Sequence, residues 1–338
     1  MSKRILLTGA GGAIGAHVFA HIMHNTDWEV ICLDSFRHKG FRDRITDFCK
    51  DHPDWLERLV IFQQDLVCSV SPKMKEDIGH IDYILHLAAL SDVQWSIDNP
   101  VYTIKNNIDS TISILEYARE IKPEIFVYFS TDEIYGPVDA ENKPHKEWDT
   151  HRPSNPYSAS KAASEDLAYC YWRAYDVPLI ITNTMNNFGE GQGLSKYPAM
   201  VQAKLLRGEK IQIHGNDKEI GSRYYIHSRN VADALLFILD KGVYHHKAGV
   251  IDEPYKYHIV GSERLNNLEM AQMIARLMGK QLEYEMVDFH KNNAAHDIHY
   301  GMEDNKLKKL GWEPPINLED SLKNTIEWQM EHPEWLGT

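Results

Sequence analysis

Two short stretches hold residue types that could do chemistry together. Tyr157 and Lys161 stand four apart in Tyr157-Ser-Ala-Ser-Lys161, a spacing that places a phenol and an ammonium on one face of a helix. Ser130-Thr131-Asp132-Glu133 supplies a hydroxyl and two neighbouring carboxyls. A phenol with a pKa near 10 is mostly protonated at neutral pH. Bringing it to around 7 takes roughly 4 kcal/mol, and a nearby cation such as Lys161 favours the phenolate. Adjacent carboxyls can divide acid and base work only if their surroundings separate their pKa values. Taken alone, an Asp-Glu pair is an ordinary solvated turn and Tyr-x-x-x-Lys an ordinary helix pair. Their meaning depends on where the chain puts them.

The apolar run Ile125-Phe-Val-Tyr-Phe129 reads as a buried strand, so Thr131, Asp132 and Glu133 lie where strand gives way to loop. Ligands of open α/β sheets bind at such strand ends. Near the N-terminus Arg4–Thr8 reads as a strand, followed at once by Gly9-Ala-Gly-Gly12-Ala13-Ile14-Gly15 and a helical pattern with Val18, Phe19, Ile22 and Met23. Glu29–Leu33 is a second strand, ending in Asp34. This is a complete βαβ unit. Further strands read at Leu59–Phe62, with Asp65 and Leu66 just beyond, at Tyr83–Ala89, and at Leu179–Thr182. Helices from about Thr103 to Ile121 and from near Tyr157 separate the later ones. The alternation predicts an α/β fold, a doubly wound parallel sheet covered on both faces.

Gly9, Gly12 and Gly15 meet three demands of a dinucleotide turn: a tight bend, backbone approach to a pyrophosphate, and close helix–strand packing. The helix N-terminus adds donors and partial positive charge. Asp34 can accept from an adenosine ribose diol and repel a 2′-phosphate, which favours NAD over NADP; Arg37 and His38 leave some NADP tolerance open. The plainer role for Asp34 is a cap or turn residue. A Gly-rich and polar loop begins at Asn186. The expected division is a Rossmann NAD-binding domain over 1–185, with a returning segment at about 223–250. A smaller mixed α/β substrate-binding domain takes 186–222 and 251–338.

Composition narrows the function classes. The 338 residues are 43% hydrophobic and 25% charged, with a formal net charge of -13, which argues against a nucleic-acid-binding face. No apolar run approaches the ~18 residues of a membrane span, and the N-terminal apolar run is too short for a signal peptide. Cys32, Cys49, Cys68 and Cys170 show no paired spacing, as expected of buried thiols in the cytoplasm. His245, His246, His296 and His299 lack a third ligand at a recognisable spacing, so no metal is expected.

The glycine turn, the Ser130-Thr-Asp-Glu stretch and Tyr157-x-x-x-Lys161 occur in the order of the extended short-chain dehydrogenase/reductase family, which the chain resembles. Within it the chain is most similar to the nucleoside-diphosphate-glucose 4,6-dehydratases. Counterparts extend over nearly the whole length: His86-Leu87-Ala88-Ala89, Asn107, Ser154–Lys161, Asn186-Asn187-Phe-Gly189, Arg223-Tyr-Tyr-Ile, His296-Asp297 and the ending Glu327–Trp335.

The resemblance implies a role for each matching residue. Tyr157 would take the proton of the sugar C4 hydroxyl as hydride leaves C4. Lys161 would bind the nicotinamide ribose and lower the tyrosine pKa, and Thr131 would hydrogen-bond near the C4 oxygen. Asp132 would protonate the departing C6 hydroxyl, and Glu133 would remove the C5 proton. Asp65, Leu66, Leu87, Ala88, Ala89 and Asn107 would line the NAD site with the glycine turn. Ser91, Asn187, Lys196, Arg223 and His296 would hold a nucleoside-diphosphate hexose, with dTDP- or UDP-glucose favoured, and the chain would form a homodimer. Where the family usually has Glu-Ser-His-Val-Asp-Arg-Ser, this chain has Leu90-Ser-Asp-Val-Gln-Trp-Ser96, which leaves the hexose open. An arginine usual before Gly-His-Asp is replaced by Asn293-Ala-Ala. A nucleotide-sugar epimerase or decarboxylase, or a non-catalytic NAD-binding regulator, is the alternative.

Overall fold

Strand runs without polar alternation, such as Ile125–Thr131, are buried along their whole length, which requires a sheet covered on both faces. The computed structural model describes residues 2–37, 41–138, 143–215, 219–241, 252–288 and 299–337. Its first half runs β1 (Arg4–Thr8), α1 (Ala13–Asn25), β2 (Glu29–Asp34), α2 (Phe41–Lys50), β3 (Leu59–Gln63), α3 (Pro72–Ile78), β4 (Tyr83–His86), α4 (Val93–Asp98), α5 (Pro100–Ile121), β5 (Ile125–Thr131), α6 (Pro156–Tyr175) and β6 (Leu179–Thr184). The second half adds β7 (Asn186–Phe188), α7 (Tyr197–Arg207), β8 (Ile211–His214), β9 (Ser222–His227), α8 (Ser228–Lys241), β10 (Tyr255–Ile259), β11 (Arg264–Asn266), α9 (Asn267–Leu277), β12 (Tyr284–Val287), α10 (Asn305–Lys309) and α11 (Leu318–Glu331).

Seven strands form the main sheet in the order β10-β6-β5-β4-β1-β2-β3, all paired in parallel. The fold is therefore the doubly wound Rossmann type expected. Strand order reverses beside β1, between β2 and β4, and this switch point opens a crevice at the strand ends. One face is packed with Val18, Phe19, Val231 and Leu235 from α1 and α8. The other is covered by Ile114, Leu115 and Trp172 from α5 and α6. A separate cluster including Phe188, Val201, Ile211, Met270 and Leu322 makes the core of the smaller body.

The expected domain boundaries need correction at the returning segment. β9 does not return to the main sheet; it pairs with β7 and β11 in a three-stranded sheet. What returns is α8, packed on α1, and then β10, which pairs with β6 from Tyr255↔Ile180 to Ile259↔Thr184. Residues 255–259 thus belong to the large body and not to the smaller one. Among the described residues no helix is long and apolar enough to cross a membrane.

Candidate active site

Thr131 ends β5 and caps the 3-10 turn Asp132–Tyr135, its Oγ1 accepting from the Glu133 backbone N–H at 3.4 Å. The same hydroxyl donates to Asp132 Oδ1 at 3.1 Å. Asp132 is buried, and its Oδ2 has no hydrogen-bond partner among the described residues. Burial, with the charge of Glu133 second, pushes this carboxyl up to about 7, against the Thr131 hydrogen bond and the Arg223 charge. Glu133 Oε2 accepts from Asn155 Nδ2 at 3.1 Å. Asn155 also caps α6 through a reciprocal box with Ser158, with Pro156 at the first helical position. One cap residue therefore sets both the Glu133 carboxylate and the start of the helix that carries Tyr157 and Lys161. Asn155 was not among the expected site residues, although Asn-Pro ahead of a helix is a readable start signal.

Tyr157 is buried, and its backbone N–H donates to Ser96 Oγ at 3.2 Å. Burial, then Glu133, hold its phenol above the ordinary range; a Thr131 hydrogen bond opposes them. Lys161 is buried on the same helix. Its Nζ donates to the Phe129 carbonyl at 2.7 Å and lies 4.3 Å over the Tyr128 ring. Burial lowers the ammonium to about 7, with Glu165 pulling the other way. In the protein alone burial, with Glu133 and Asp132, favours the protonated phenol.

The glycine turn fits a dinucleotide. Gly9 has φ +71°, and a Cβ there would stand 2.8 Å from Ala88 Cα. A Cβ on Gly15 would stand 2.1 Å from the Gly9 carbonyl oxygen. Gly12 caps α1 without a side-chain bond, and the first turn, with Ala13 and Ile14, carries no acidic residue, which suits an anion. Asp34 accepts from Gly11 N–H at 3.0 Å and from Phe36 N–H at 2.9 Å, so it also has the plainer role of shaping the turn. Arg37 is committed to Asp65 at 3.0 Å and to Asn106 at 2.7 Å; His38 lies outside the described residues. Leu66 is buried in the core, and Leu87 and Ala89 are partly buried. Ala88 N–H donates to Thr8 Oγ1 at 3.2 Å, which holds the end of β4 against β1. Asn107 is almost wholly buried, with its amide bonded to the Leu90 peptide and to Ser160 Oγ. It braces the β4 loop against α6.

At the substrate end, Lys196 Nζ donates to the Ser91 carbonyl at 3.2 Å, so these two expected residues meet. Asn187 Nδ2 donates to Met185 O at 2.7 Å while its Oδ1 is buried without a partner among the described residues. Arg223 lies 4.4 Å over the Tyr300 ring. His296, Asn293, His245 and His246 lie outside the described residues. His299 is bonded to Ser222 and Glu219, each at 2.8 Å. The divergent stretch has its own logic: Asp92 caps α4 by accepting from Trp95 N–H at 2.9 Å, Ser96 is buried, and Trp95 is 49% exposed.

The chain matches the NAD dependent epimerase/dehydratase family over residues 5–251 and belongs to that family. It is 30% identical over 357 residues to dTDP-glucose 4,6-dehydratase 1 of Escherichia coli strain K12, covering 98% of this chain and 94% of that protein. It is 32% identical over 345 residues to a trifunctional UDP-glucose 4,6-dehydratase/UDP-4-keto-6-deoxy-D-glucose 3,5-epimerase/UDP-4-keto-L-rhamnose-reductase of Arabidopsis thaliana. That match takes in 99% of this chain but 48% of the relative, so the chain spans about half its length. Among solved structures, a dTDP-glucose 4,6-dehydratase of Streptomyces venezuelae with NAD bound superimposes with a TM-score of 0.85 at 28% identity, covering 98% of each chain.

Proposed function

We propose that this protein is an NAD-dependent nucleotide-sugar 4,6-dehydratase, a carbon–oxygen lyase that converts a dTDP- or UDP-linked glucose-type hexose to its 4-keto-6-deoxy form. The observation that carries the reading is the buried Asp132 carboxyl, held up to about 7 beside Glu133 at the end of β5. A transfer of hydride alone needs no such pair. An elimination needs an acid at one carbon and a base at the next.

Gly9, Gly12, Ala13, Ile14, Gly15 and Asp34 would hold NAD, with Lys161 at its nicotinamide end. When bound, NAD accepts a hydride from the sugar C4 and returns it to C6. The positive charge of bound NAD, with that of Lys161, would favour the phenolate, and in that form Tyr157 takes the C4 hydroxyl proton, with Thr131 bonded to the same oxygen. Oxidation at C4 makes the C5 proton acidic enough for a carboxylate, and Glu133 removes it. Asp132 gives its proton to the C6 hydroxyl, which leaves as water. Glu133 returns its proton to C5, and the proton gained by Tyr157 replaces, by way of solvent, the one given up by Asp132, which closes the cycle. Lys196, Arg223 and Asn187 face the diphosphate end, where cations and amide donors favour an anion.

A homodimer formed through α5 and α6 fits their exposed apolar residues, Val101, Tyr102, Ile112 and Tyr175. The compartment we propose is the cytoplasm; of the thiols expected to be buried, Cys32 and Cys49 are, while Cys68 and Cys170 are exposed. The test is incubation of the NAD-loaded protein with dTDP-glucose and UDP-glucose, read by mass spectrometry. Loss of one water with no net NADH is expected. An isomeric product of unchanged mass would mean epimerisation and sink the proposal.

A further inference from the structure

Glu190 has no part in the chemistry above, yet its side chain is buried and faced by charged or titratable groups from three elements. Its Oε2 lies 2.7 Å from His17 Nε2 on α1 and 2.9 Å from His227 Nε2 at the end of β9. Its Oε1 lies 3.0 Å from the Arg229 guanidinium at the start of α8. From α11, Thr325 Oγ1 reaches His227 Nε2 at 3.1 Å.

Two imidazoles and a carboxylate could form a cation site, but the hydrogen bonds oppose one. His227 Nδ1 accepts from the Arg229 backbone N–H at 2.9 Å. The ring proton is then on Nε2, which has no lone pair to offer a metal. Arg229 also places a positive charge on the same carboxylate. His17 Nδ1 faces the Ala13 carbonyl at 2.8 Å, an acceptor only, so that nitrogen carries a proton. A second proton must lie between His17 Nε2 and Glu190. Glu190 itself is held well below the carboxylate range by His227 and His17, against burial. The cluster is a proton-sharing clamp.

The clamp joins places that matter. His17 lies one turn into the helix that opens at the glycine turn, and Glu190 lies three residues after Asn187. Arg44 runs alongside, donating to Gly11 O and to Gly191 O, each at 2.8 Å. A Cβ on Gly189 would stand 3.1 Å from His17 Cε1 and 3.3 Å from His227 Nε2, so the loop is pressed onto both rings.

We propose that Glu190 is a positioning residue that couples the dinucleotide site to the nucleoside-diphosphate site, by locking the glycine-turn helix to the loop bearing Asn187. This rests on the functional reading above. Coupling of two ligands is reciprocal, so dTDP tightens NAD by the factor with which NAD tightens dTDP.

The test is the NAD Kd of the nucleotide-stripped full chain, with and without saturating dTDP. The wild type should show a ratio of about fivefold or more. Glu190→Ala should bring the ratio toward one. His17→Phe should do the same while keeping a ring against Phe48, which packs 5.1 Å from the imidazole. The double variant should go no further than either. Glu190→Gln, whose amide can still donate to His17, should recover part of the coupling. A lower Tm with the ratio unchanged in both single variants would overturn the proposal. If the wild type binds neither dTDP nor UDP, the functional reading fails instead. The clamp is then judged on NAD affinity alone, which both variants must weaken.

Discussion

The Thr131 hydroxyl donates to one oxygen of Asp132 at 3.1 Å, while the other oxygen of that carboxyl is buried with no partner among the described residues. Thr131 therefore fixes the group without satisfying it, and the remaining oxygen is where a proton can sit and be given away. Such a proton should be lost as pH rises through about 7. Water loss, followed by single-turnover mass analysis, should then fall about tenfold per unit at higher pH. Asp132→Asn should still allow C4 oxidation, seen as absorbance of NADH, and slow water loss roughly a hundredfold or more. Unchanged dehydration in this variant would contradict the assignment of the acid.

The same raised carboxyl has a stability consequence with a definite sign. The folded protein holds the Asp132 proton up to about 7, whereas the unfolded chain releases it near 3.8. Between those values the folded state binds more protons, so stability declines as pH rises through the window and levels off above it. Asp132→Asn removes that decline. Its gain in stability over wild type should be larger at pH 8 than at pH 4, by up to about 4 kcal/mol, measured by urea unfolding.

Lys256 and Glu165 form a pair buried at 0% and 2% exposure, 2.5 Å apart. Asn183 Nδ2 donates to both Glu165 Oε2 and the Thr131 carbonyl, each at 3.1 Å, so the pair underlies the catalytic strand. Lys256→Met should cost about 3–5 kcal/mol by taking the nearest cation from a buried carboxylate, with His151 at 3.4 Å the cation that remains. Glu165 is held down to about 2, despite burial, chiefly by Lys256. Its contribution is present above the usual carboxylate pKa and lost as pH falls through about 2. In Lys256→Met acid unfolding should therefore begin at higher pH.

Gly15→Ala tests the cofactor turn. The added methyl would meet the Gly9 carbonyl at 2.1 Å, a backbone atom that cannot rotate away. NAD released from the purified variant and measured by chromatography should fall to a small fraction of the wild-type content. Equal content would mean that α1 does not pack on the turn as described.

Local patterns carried much of this architecture. The glycine turn, the apolar strands and the Tyr157-x-x-x-Lys161 helix each depend on neighbouring residues, and all were readable. Pairing across the chain was not. Nothing between Tyr255 and Ile259 marks which sheet it joins, because that is decided by contact with β6, some 75 residues away. His17, Glu190 and His227 are far apart in sequence and form no motif, so only the fold brings the clamp together. Spacing put Lys161 on the helical face of Tyr157 but could not show its acceptor, Phe129 O.

The short helix α4 separates two kinds of evolutionary freedom. Its Ser96 oxygen holds the backbone of Tyr157, and Asp92 holds its first turn, while Gln94 and Trp95 point outward. Changes at positions 94 and 95 would leave the hydrogen bond from the Tyr157 backbone to Ser96 in place. The residue that anchors α6 and the residues free to change thus sit on one short helix.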